Sequence, residues 1–450
     1  MIECRFEDIC RAVGGTMLQS GAETALSIST DSRHIDPGDL FVPLVGEKFD
    51  GHAYLRASLE AGAAGCLTAR EETEPVPGKC YIRVKDTEKA LQQLAAWYRT
   101  LFALPVVEIT GSAGKTTTKE MIAYVLQQHY RTLKTEANFN NQVGIPQTIL
   151  RLRPEDEVAV VETGMNGFDQ LRHYSAIVRP NIAVITNIGD AHIGNVGNTR
   201  QGVLQAKLEM LEHLDPEGIV VLCGDDELLK ELKLPFTTVL CGTGENCGVR
   251  VGEIRDRGIL GIDCTVTTAR DSYHLSIPSP GEYMIYPASM AVAIGEYLGL
   301  TRSEIEAGVA AYVPTGSRMR RVACSQGRMV IDDCYNANPP AMKAALQVLA
   351  GTDRRRVAVL GDMGDLGAMQ KSGHRQVGEF ARTLGLDAFF AVGPMSKDMA
   401  AGYGEGAQYY PDMDSALPAI RAAFTPDTVL LVKASHAMQF GNIVKELEQL

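Results

Sequence analysis

The apolar residues in the middle of the chain form short continuous runs that alternate with amphipathic stretches. From Pro105 onward the runs are PVVEITG, EVAVVET, NIAVITNIG and GIVVLCGDD, and TTTKEMIAYVLQQHY follows the first run with helical spacing. Parallel strands that are covered by helices on both faces have this continuous pattern, whereas half-exposed strands alternate. The pattern therefore predicts an α/β fold with a central, mostly parallel sheet. Between about Phe236 and Ile277 the periodicity shortens, which predicts antiparallel strands.

The two ends of the chain predict smaller α/β domains. Short strand-like and helical pieces fill residues 1–85, and a boundary signal, YVPTG, lies at residues 312–316. Beyond it, the apolar runs RMVIDDCYN, RRVAVLGDM, AFFAVG and TVLLVKAS are separated by helical stretches, which predicts a Rossmann-like domain. We therefore expect three domains with limits of 1–85, 86–313 and 314–450, and the length of 450 residues agrees with that number.

The composition narrows the possible functions. The chain has 43 Lys and Arg against 55 Asp and Glu, which gives a formal net charge of −12. A chain this acidic has no overall electrostatic footprint for nucleic acid or an anionic membrane surface. The N-terminus has no apolar signal segment, no stretch reaches 18 apolar residues, and the ten Cys include no C-x-x-C pair. We therefore expect a cytoplasmic monomer with reduced thiols, no membrane span and no nucleic-acid partner.

The strongest chemical signal is a glycine-rich loop between the first central strand and its helix. Its sequence, EITGSAGKTT at residues 108–117, leads into a helix N-terminus, where main-chain N–H groups and the helix dipole attract phosphate. Lys115 can reach the β- and γ-phosphates, and the Thr116 hydroxyl can bind Mg²⁺. The strict phosphate-loop pattern needs glycine where this chain has Ile109, so a glycine-rich turn without a ligand is the alternative. The residues expected to bind nucleotide here are Gly111, Ser112, Ala113, Gly114, Lys115, Thr116 and Thr117.

This loop resembles the nucleotide loop of the Mur ligases, ATP-dependent enzymes of peptidoglycan precursor assembly, and of the related folylpolyglutamate synthases. Further matches follow along nearly the whole chain: DSR at 31–33, PGDLF at 37–41, DGH at 50–52, NFNNQVGIP at 138–146, DDCYNANP at 332–339 and GDMGDLG at 361–367. The first three resemble the domain that holds the UDP-linked substrate. The last three are similar to the branch of the family that adds D-alanyl-D-alanine, and the MurE-type motif DNPR is absent.

The resemblance implies a magnesium site in the central segment. Glu162 ends the apolar run EVAVV, and a carboxylate at a strand's C-terminal end beside a phosphate loop suits a hard cation. The family's magnesium-binding Glu and His match Glu162 and His192, and its carbamylated lysine matches Lys207. Together with Thr116 these residues form the expected metal set. Read alone, Glu162 is a solvated strand end, His192 is structural and Lys207 is a surface lysine paired with an acid.

The resemblance also assigns residues in the outer domains. Arg318 matches the arginine that contacts the γ-phosphate, and Asn336 and Asp333 are expected to bind nucleotide. Tyr283 and Pro287 replace the family's usual His and Asn near adenine, so base recognition here is expected to differ. The residues expected to bind the UDP-linked substrate are Ser32, Arg33, Asn138, Asn140 and Asn141. The expected catalytic set is Lys115, Glu162, His192, Lys207 and Arg318.

The resulting hypothesis is an ATP- and Mg²⁺-dependent ligase that joins D-Ala-D-Ala to UDP-N-acetylmuramoyl tripeptide through an acyl phosphate, as the resemblance implies. Two alternatives stay open at this point. One is another carboxylate–amine ligase on the same frame, against which the DSR, PGDLF and DGH motifs and the missing DNPR argue. The other is a non-catalytic nucleotide-sensing or scaffold protein, against which the complete set of Lys115, Thr116, Glu162 and His192 argues.

Overall fold

The computed structural model describes residues 1–70, 75–364 and 366–450, which form two compact units. Unit 1 comprises Met1–Arg250 with Ser289–Ile305, and unit 2 comprises Val251–Ala288 with Glu306–Leu450. Asp365, within the GDMGDLG motif, lies outside the described residues. The domain limits of 1–85, 86–313 and 314–450 stay a prediction.

Unit 1 begins with a small α/β region. Its elements are β1 (Cys4–Arg5), α1 (Phe6–Ala12), β2 (Thr16–Gln19), β3 (Thr24–Ala25), β4 (Ser27–Ser29), β5 (Asp39–Phe41), α2 (Leu55–Glu60), β6 (Gly65–Thr68), β7 (Cys80–Arg83) and α3 (Thr87–Arg99). Strands β4 to β7 pair in parallel, and β2 pairs antiparallel with β7. Helix α3 begins at Thr87 because the Asp86 side chain accepts a hydrogen bond from the main-chain N–H of Lys89.

The central sheet of unit 1 positions the predicted site. Its elements are β8 (Val106–Thr110), α4 (Lys115–Leu126), β9 (Thr132–Lys134), α5 (Gly144–Ile149), β10 (Val158–Glu162), α6 (Gln170–Val178), β11 (Ile182–Ile185), α7 (Arg200–Leu208), β12 (Ile219–Cys223), β13 (Thr237–Gly242) and β14 (Val249–Asp256). Strands β9, β10, β8, β11, β12 and β13 lie side by side in this order, all parallel. Every residue of β8, β10, β11 and β12 is buried, which explains the continuous apolar runs. Because the strands are parallel, the segments that follow β8, β10 and β11 meet at one edge of the sheet.

The prediction of antiparallel strands over 236–277 is only half right. Strand β13 is parallel to β12, and the start of β14 is parallel to β13, with Cys241 opposite Val249. Periodicity reports which side chains are buried, not the direction of a strand, so it could not reveal that the parallel sheet continues here. In unit 2, β15 (Ile262–Thr267) and β16 (Ser272–Ile277) do form an antiparallel pair.

Helices α8 (Ile285–Tyr297) and α9 (Arg302–Ala310) follow, and a second mostly parallel sheet then forms the body of unit 2. Its elements are β17 (Arg320–Ala323), β18 (Met329–Asp332), α10 (Pro339–Ala350), β19 (Arg355–Gly361), α11 (Gln370–Arg382), β20 (Ala388–Val392), α12 (Ser396–Tyr403), β21 (Ala407–Tyr410), α13 (Met413–Ala423), β22 (Thr428–Lys433) and α14 (Gly441–Glu448). The strand order is β17-β18-β22-β19-β20-β21, and only β17 is antiparallel to its neighbour. Alternate residues of β19 belong to two separate apolar clusters, so helices cover both faces of the sheet.

The α/β fold class predicted from the sequence is confirmed, with a small N-terminal region, a central parallel sheet and a Rossmann-like C-terminal sheet. All ten cysteines lie in the described residues and are free thiols. None of the helices in the described ranges combines the length and the apolar composition that a membrane-spanning segment needs.

Candidate active site

The glycine-rich loop joins β8 to α4 in the way the sequence predicts. Gly114 has a φ of +78°, in the left-handed region, and immediately precedes the helix that begins at Lys115. A Cβ atom at Gly111 would lie 1.8 Å from Oγ1 of Thr186, so only glycine fits beside the neighbouring strand end. The Lys115 ammonium folds back over the loop and donates a hydrogen bond to the main-chain oxygen of Gly111 at 2.8 Å. The loop therefore has the backbone path and the cation of a phosphate site.

The segment after β11 holds the glycine-rich loop in place. The Asn187 side chain accepts a hydrogen bond from the main-chain N–H of Ala113 and donates one to its oxygen, both at 3.0 Å. Thr186 donates its hydroxyl to the same oxygen at 2.6 Å, and the N–H of Gly189 donates to Oγ of Ser112 at 2.8 Å. Thr186 and Asn187 were not among the residues predicted from the sequence. Their place directly after an apolar run beside the loop strand is the signal that could have revealed them.

His192 lies in this same segment, three residues beyond Gly189, and is exposed to solvent. Its φ of +62° is uncommon for a residue other than glycine. The start of the segment is fixed, because Asp226 accepts a hydrogen bond from the N–H of Ile188 at 2.8 Å and Arg200 donates to the oxygen of Ile188 at 3.0 Å. The structure thus places His192 on the loop that contacts the phosphate segment, and its metal role stays a prediction.

Glu162 is the most tightly held of the predicted site residues. It ends β10 and is almost fully buried, with 2% exposure. Its Oε1 accepts a hydrogen bond from Nδ2 of Asn140 at 2.8 Å, and its N–H donates to Oγ1 of Thr135 at 3.0 Å. The ammonium of Lys119 lies 4.0 Å from Oε2, and Oε2 accepts no hydrogen bond from any described residue. The interpretation of Glu162 as a solvated strand end is therefore wrong.

Lys207, near the end of α7, is also buried rather than on the surface. Burial and, second, the positive charge of Lys115 lower the pKa of Lys207 to about 7. Because the charge of Lys115 lowers the pKa of Lys207, these two predicted residues interact electrostatically. A buried amine with so low a pKa is neutral in a large fraction of molecules near pH 7, which is the form that reacts with CO₂.

The donor set at this edge of the sheet fits a small hard cation. In the described parts of the chain, no three His, Cys, Asp or Glu side chains come together as a metal site. Mg²⁺ needs no such cage, because it is usually held by one or two carboxylates together with water and nucleotide oxygens. The free Oε2 of Glu162 and the hydroxyl of the buried Thr116, which follows Lys115, are oxygen donors of this kind.

The residues predicted to bind the UDP-linked substrate differ in their burial and in their hydrogen-bond partners. Ser32 is half-buried, and the neighbouring Arg33 is exposed, with its guanidinium donating to both carboxylate oxygens of Asp31 at 2.8 and 2.7 Å. This pairing, chiefly the side-chain hydrogen bond from Arg33, lowers the pKa of Asp31. Asn138 is exposed, whereas Asn141 accepts a hydrogen bond from the N–H of Gly144 at the start of α5. Asn140, as described above, contacts Glu162.

In unit 2, the structure brings Asp333, Asn336 and Lys433 together. Lys433 is buried and donates to Oδ2 of Asp333 at 2.6 Å and to the main-chain oxygen of Asn336 at 2.8 Å. The Arg318 guanidinium stacks over the ring of Tyr335, 3.5 Å from its centroid. These contacts fix the predicted nucleotide residues of unit 2 around the loop after β18.

Three family models match the chain: "Mur ligase middle domain" over residues 109–295, "Mur ligase, glutamate ligase domain" over 317–436 and "Mur ligase family, catalytic domain" over 26–99. The chain is 33% identical over 456 residues to the UDP-N-acetylmuramoyl-tripeptide–D-alanyl-D-alanine ligase of Bacillus subtilis, covering 99% of both chains. It is 36% identical over 429 residues to the enzyme of the same name from Synechocystis, covering 94% of this chain and 91% of the relative.

Solved structures agree with these relatives. MurF from Acinetobacter baumannii superposes with a TM-score of 0.91 and 31% identity, covering 100% of this chain and 99% of the other. MurF ligase from Thermotoga maritima, solved in complex with ADP, has a TM-score of 0.83 at 24% identity, covering 94% of this chain and 97% of the other, and supports the fold alone. Because relatives above 30% identity extend along nearly the entire sequence and the three-domain fold is shared, the chain belongs to the Mur ligase family, in its MurF group.

Proposed function

We propose that this chain is an ATP-dependent carboxylate–amine ligase that joins D-alanyl-D-alanine to UDP-N-acetylmuramoyl tripeptide, a step of peptidoglycan precursor synthesis in the cytoplasm. The observation that carries the proposal is the edge of the central sheet, where a phosphate loop, a buried carboxylate with one free oxygen and a buried low-pKa lysine lie together. The names of the relatives that span the chain supply the substrates.

The reaction joins a carboxylate to an amine, so the carboxylate must first be activated. In the proposed chemistry, the tripeptide's terminal carboxylate attacks the γ-phosphorus of ATP, the bond from this phosphorus to the β–γ bridging oxygen breaks, and an acyl phosphate and ADP form. The amine of D-Ala-D-Ala then displaces phosphate through a tetrahedral intermediate. Bound Mg²⁺ would neutralise phosphate charge as it develops.

The side chains of unit 1 would bind and orient these charged groups. Lys115 is the electrostatic clamp on the β- and γ-phosphates, and the main-chain N–H groups of the glycine-rich loop hold the same anion. Glu162 and Thr116 would hold Mg²⁺ beside them, together with His192. Lys207 would join the metal set as a carbamate, because carbamylation turns a buried amine into an anionic oxygen donor.

For unit 2, the proposal assigns Arg318 to the γ-phosphate and Asp333 and Asn336 to the nucleotide, as the family resemblance implies. The stacking of Arg318 on Tyr335 supports the assignment, because it holds the guanidinium in one orientation. The same resemblance assigns Ser32, Arg33, Asn138, Asn140 and Asn141 to the UDP-linked substrate. Because Asn140 also donates to Glu162, its replacement is expected to affect the metal site as well.

The test is phosphate release by the purified protein with ATP and Mg²⁺, with each substrate omitted in turn. Phosphate should be released only when both UDP-N-acetylmuramoyl tripeptide and D-Ala-D-Ala are present, and a product with the mass of the joined substrates should appear. Tripeptides that end in meso-diaminopimelate and in lysine are tested in parallel, which also identifies the third residue. Release that depends on glutamate and a folate, or that needs no UDP-linked peptide, would contradict the proposal.

A further inference from the structure

Lys119 is a buried lysine on α4. It has no role in the predictions from the sequence or in the proposed chemistry. It lies one helical turn after Lys115, and its side chain is 1% exposed. Burying an ammonium in a protein interior is unfavourable unless several partners compensate it. The groups around this ammonium therefore indicate what it does.

Three oxygen atoms surround the Lys119 ammonium. It donates a hydrogen bond to the main-chain oxygen of Thr135 at 2.6 Å, and it forms an ion pair with Oε1 of Glu120 at 2.9 Å. The third oxygen, Oε2 of Glu162, lies 4.0 Å away. Glu120 in turn pairs with Lys134 at its other oxygen. The four side chains Glu162, Lys119, Glu120 and Lys134 thus form one continuous cluster of alternating charge, with a sum of zero.

The distances decide how Lys119 can act on Glu162. At 4.0 Å the ammonium attracts Oε2 electrostatically, yet it is too far to occupy the lone pairs of that oxygen with a hydrogen bond. The other oxygen, Oε1, is held by Asn140 at 2.8 Å, and Thr135 holds the main chain of Glu162 while accepting from Lys119. Glu162 is therefore held by hydrogen bonds at its main chain and at Oε1, while Oε2 is attracted by Lys119 and accepts no hydrogen bond from a described residue.

We infer that Lys119 is a positioning residue that orients the free carboxylate oxygen of Glu162 for a divalent cation. The inference rests on the proposed function for the identity of the cation, Mg²⁺, and not for the contact itself. When a group that contacts and orients a metal ligand is removed, the metal affinity typically falls by about 10–100-fold. Lys119 acts through Glu162 and touches no reacting atom.

The chain offers a matched control. Lys134→Met removes the other lysine of the cluster, which also pairs with Glu120 but has no described contact with Glu162. Lys119→Met keeps the apolar body of the lysine and removes the ammonium, with its charge and its hydrogen bond to the Thr135 oxygen. Lys119→Gln, which retains a donor for the Thr135 oxygen, is the second variant in case the methionine variant does not fold.

The first measurement is Mn²⁺ affinity by electron paramagnetic resonance, with Mn²⁺ in place of Mg²⁺ and a non-hydrolysable ATP analogue present. We expect Lys119→Met, or Lys119→Gln, to weaken Mn²⁺ binding about tenfold or more. Lys134→Met should weaken it about twofold at most. Equal losses in the Lys119 and Lys134 variants would overturn the inference, because the effect would then belong to the cluster as a whole.

The second measurement is a double-mutant cycle on denaturant unfolding in EDTA, with Lys119→Met and Glu162→Gln. Lys119→Met should increase the unfolding equilibrium constant of the wild-type protein. If the two side chains interact, the factor of increase should be about five times smaller in the Glu162→Gln protein. Additive effects would contradict the inference. Because this cycle uses neither metal nor substrate, a coupled pair in a protein without ligase activity would refute the proposed function and leave the role of Lys119 standing.

Discussion

The two buried lysines beside the phosphate loop differ in what surrounds them, although both lie on helices of unit 1. Lys119 has two carboxylates and a main-chain oxygen around its ammonium. The groups that act on Lys207 are different, because burial and the like charge of Lys115 both lower its pKa, to about 7. Burial alone therefore does not determine the role of a lysine. Counter-charges favour the charged form of Lys119, which suits the positioning role inferred for it, whereas the lowered pKa of Lys207 favours the neutral amine that the proposed carbamate needs.

Glu108, in the middle of β8, is the acidic counterpart of Lys207. It is fully buried, and neither carboxylate oxygen has a partner among the described residues, because the nearby hydroxyls of Thr163 and Ser175 donate to the main-chain oxygens of Ile109 and Met210. Burial raises the pKa of Glu108 to about 8. Burial thus favours the neutral form of both Glu108 and Lys207.

The largest expected effect is that of Lys115→Ala, which removes both the phosphate clamp and the cation that acts on Lys207. Loss of such an electrostatic contact costs several kcal/mol in the transition state, so ligation should fall at least about a hundredfold. The same change should raise the pKa of Lys207, measured by NMR of labelled lysine. Ligation above about a tenth of the wild-type rate, a loss under about 1.4 kcal/mol, would remove Lys115 from the mechanism.

Replacement of Lys207 should have an effect nearly as large, because the oxygen ligands of the proposed carbamate are lost with the amine. Lys207→Ala should be almost inactive, and a short carboxylic acid added to the buffer should restore part of the activity. Because carbamate formation needs the neutral amine, activation of the wild-type protein by bicarbonate should increase as the pH rises through about 7. A near-normal ligation rate for Lys207→Ala would contradict the carbamate and show that Lys207 has only a structural role.

Glu108→Gln should stabilise the protein at high pH, since it replaces a buried carboxyl group whose charged form is disfavoured by burial. The pKa of Glu108 in the folded protein, about 8, lies above its unfolded value, so the folded state binds more protons between pH 4.5 and 8. Wild-type stability should therefore fall as the pH rises through this range. The glutamine variant lacks that loss and should be more stable by about 2 kcal/mol or more at pH 8, with little difference at pH 5. Urea unfolding at both pH values checks this, and equal stabilities at pH 8 would show that a partner compensates Glu108.

The smallest effect is expected where the charge is exposed. Arg33 and Asp31 are paired at the surface, so Arg33→Ala should leave the unfolding free energy nearly unchanged. The KM for the UDP-linked peptide should rise while that for ATP stays the same, because charge-assisted contacts to phosphate are strong. Equal changes in both KM values would mean that Arg33 does not serve the UDP-linked substrate.

The sequence predicted local features of this site well and long-range contacts poorly. The loop from Gly111 to Lys115 and the carboxylate at the end of β10 follow from patterns within a few residues. By contrast, the contacts of Lys119 with Thr135 and Glu162 depend on β8 lying beside β10 and β10 beside β9, an order that no local pattern contains. For the same reason, the sequence alone left open the alternative that Lys207 lies on the surface.

The interior position of Glu108 also escaped notice, because one acidic residue does not interrupt an apolar run enough to alter the prediction of a strand. The direction of β13 and the contact between Asn140 and Glu162 were likewise not predicted from the sequence. Each is set by which elements become neighbours in the folded chain.

The most direct test of the account follows an oxygen atom. Purified protein is given ATP, D-Ala-D-Ala and UDP-N-acetylmuramoyl tripeptide in which both oxygens of the terminal carboxylate are ¹⁸O, and the released phosphate is analysed by mass spectrometry. If the carboxylate attacks the γ-phosphorus, one of its oxygens must leave with that phosphate, so the account predicts one ¹⁸O atom in each phosphate formed. Phosphate without ¹⁸O, released while the amide product accumulates, would contradict the acyl-phosphate route and with it the central claim.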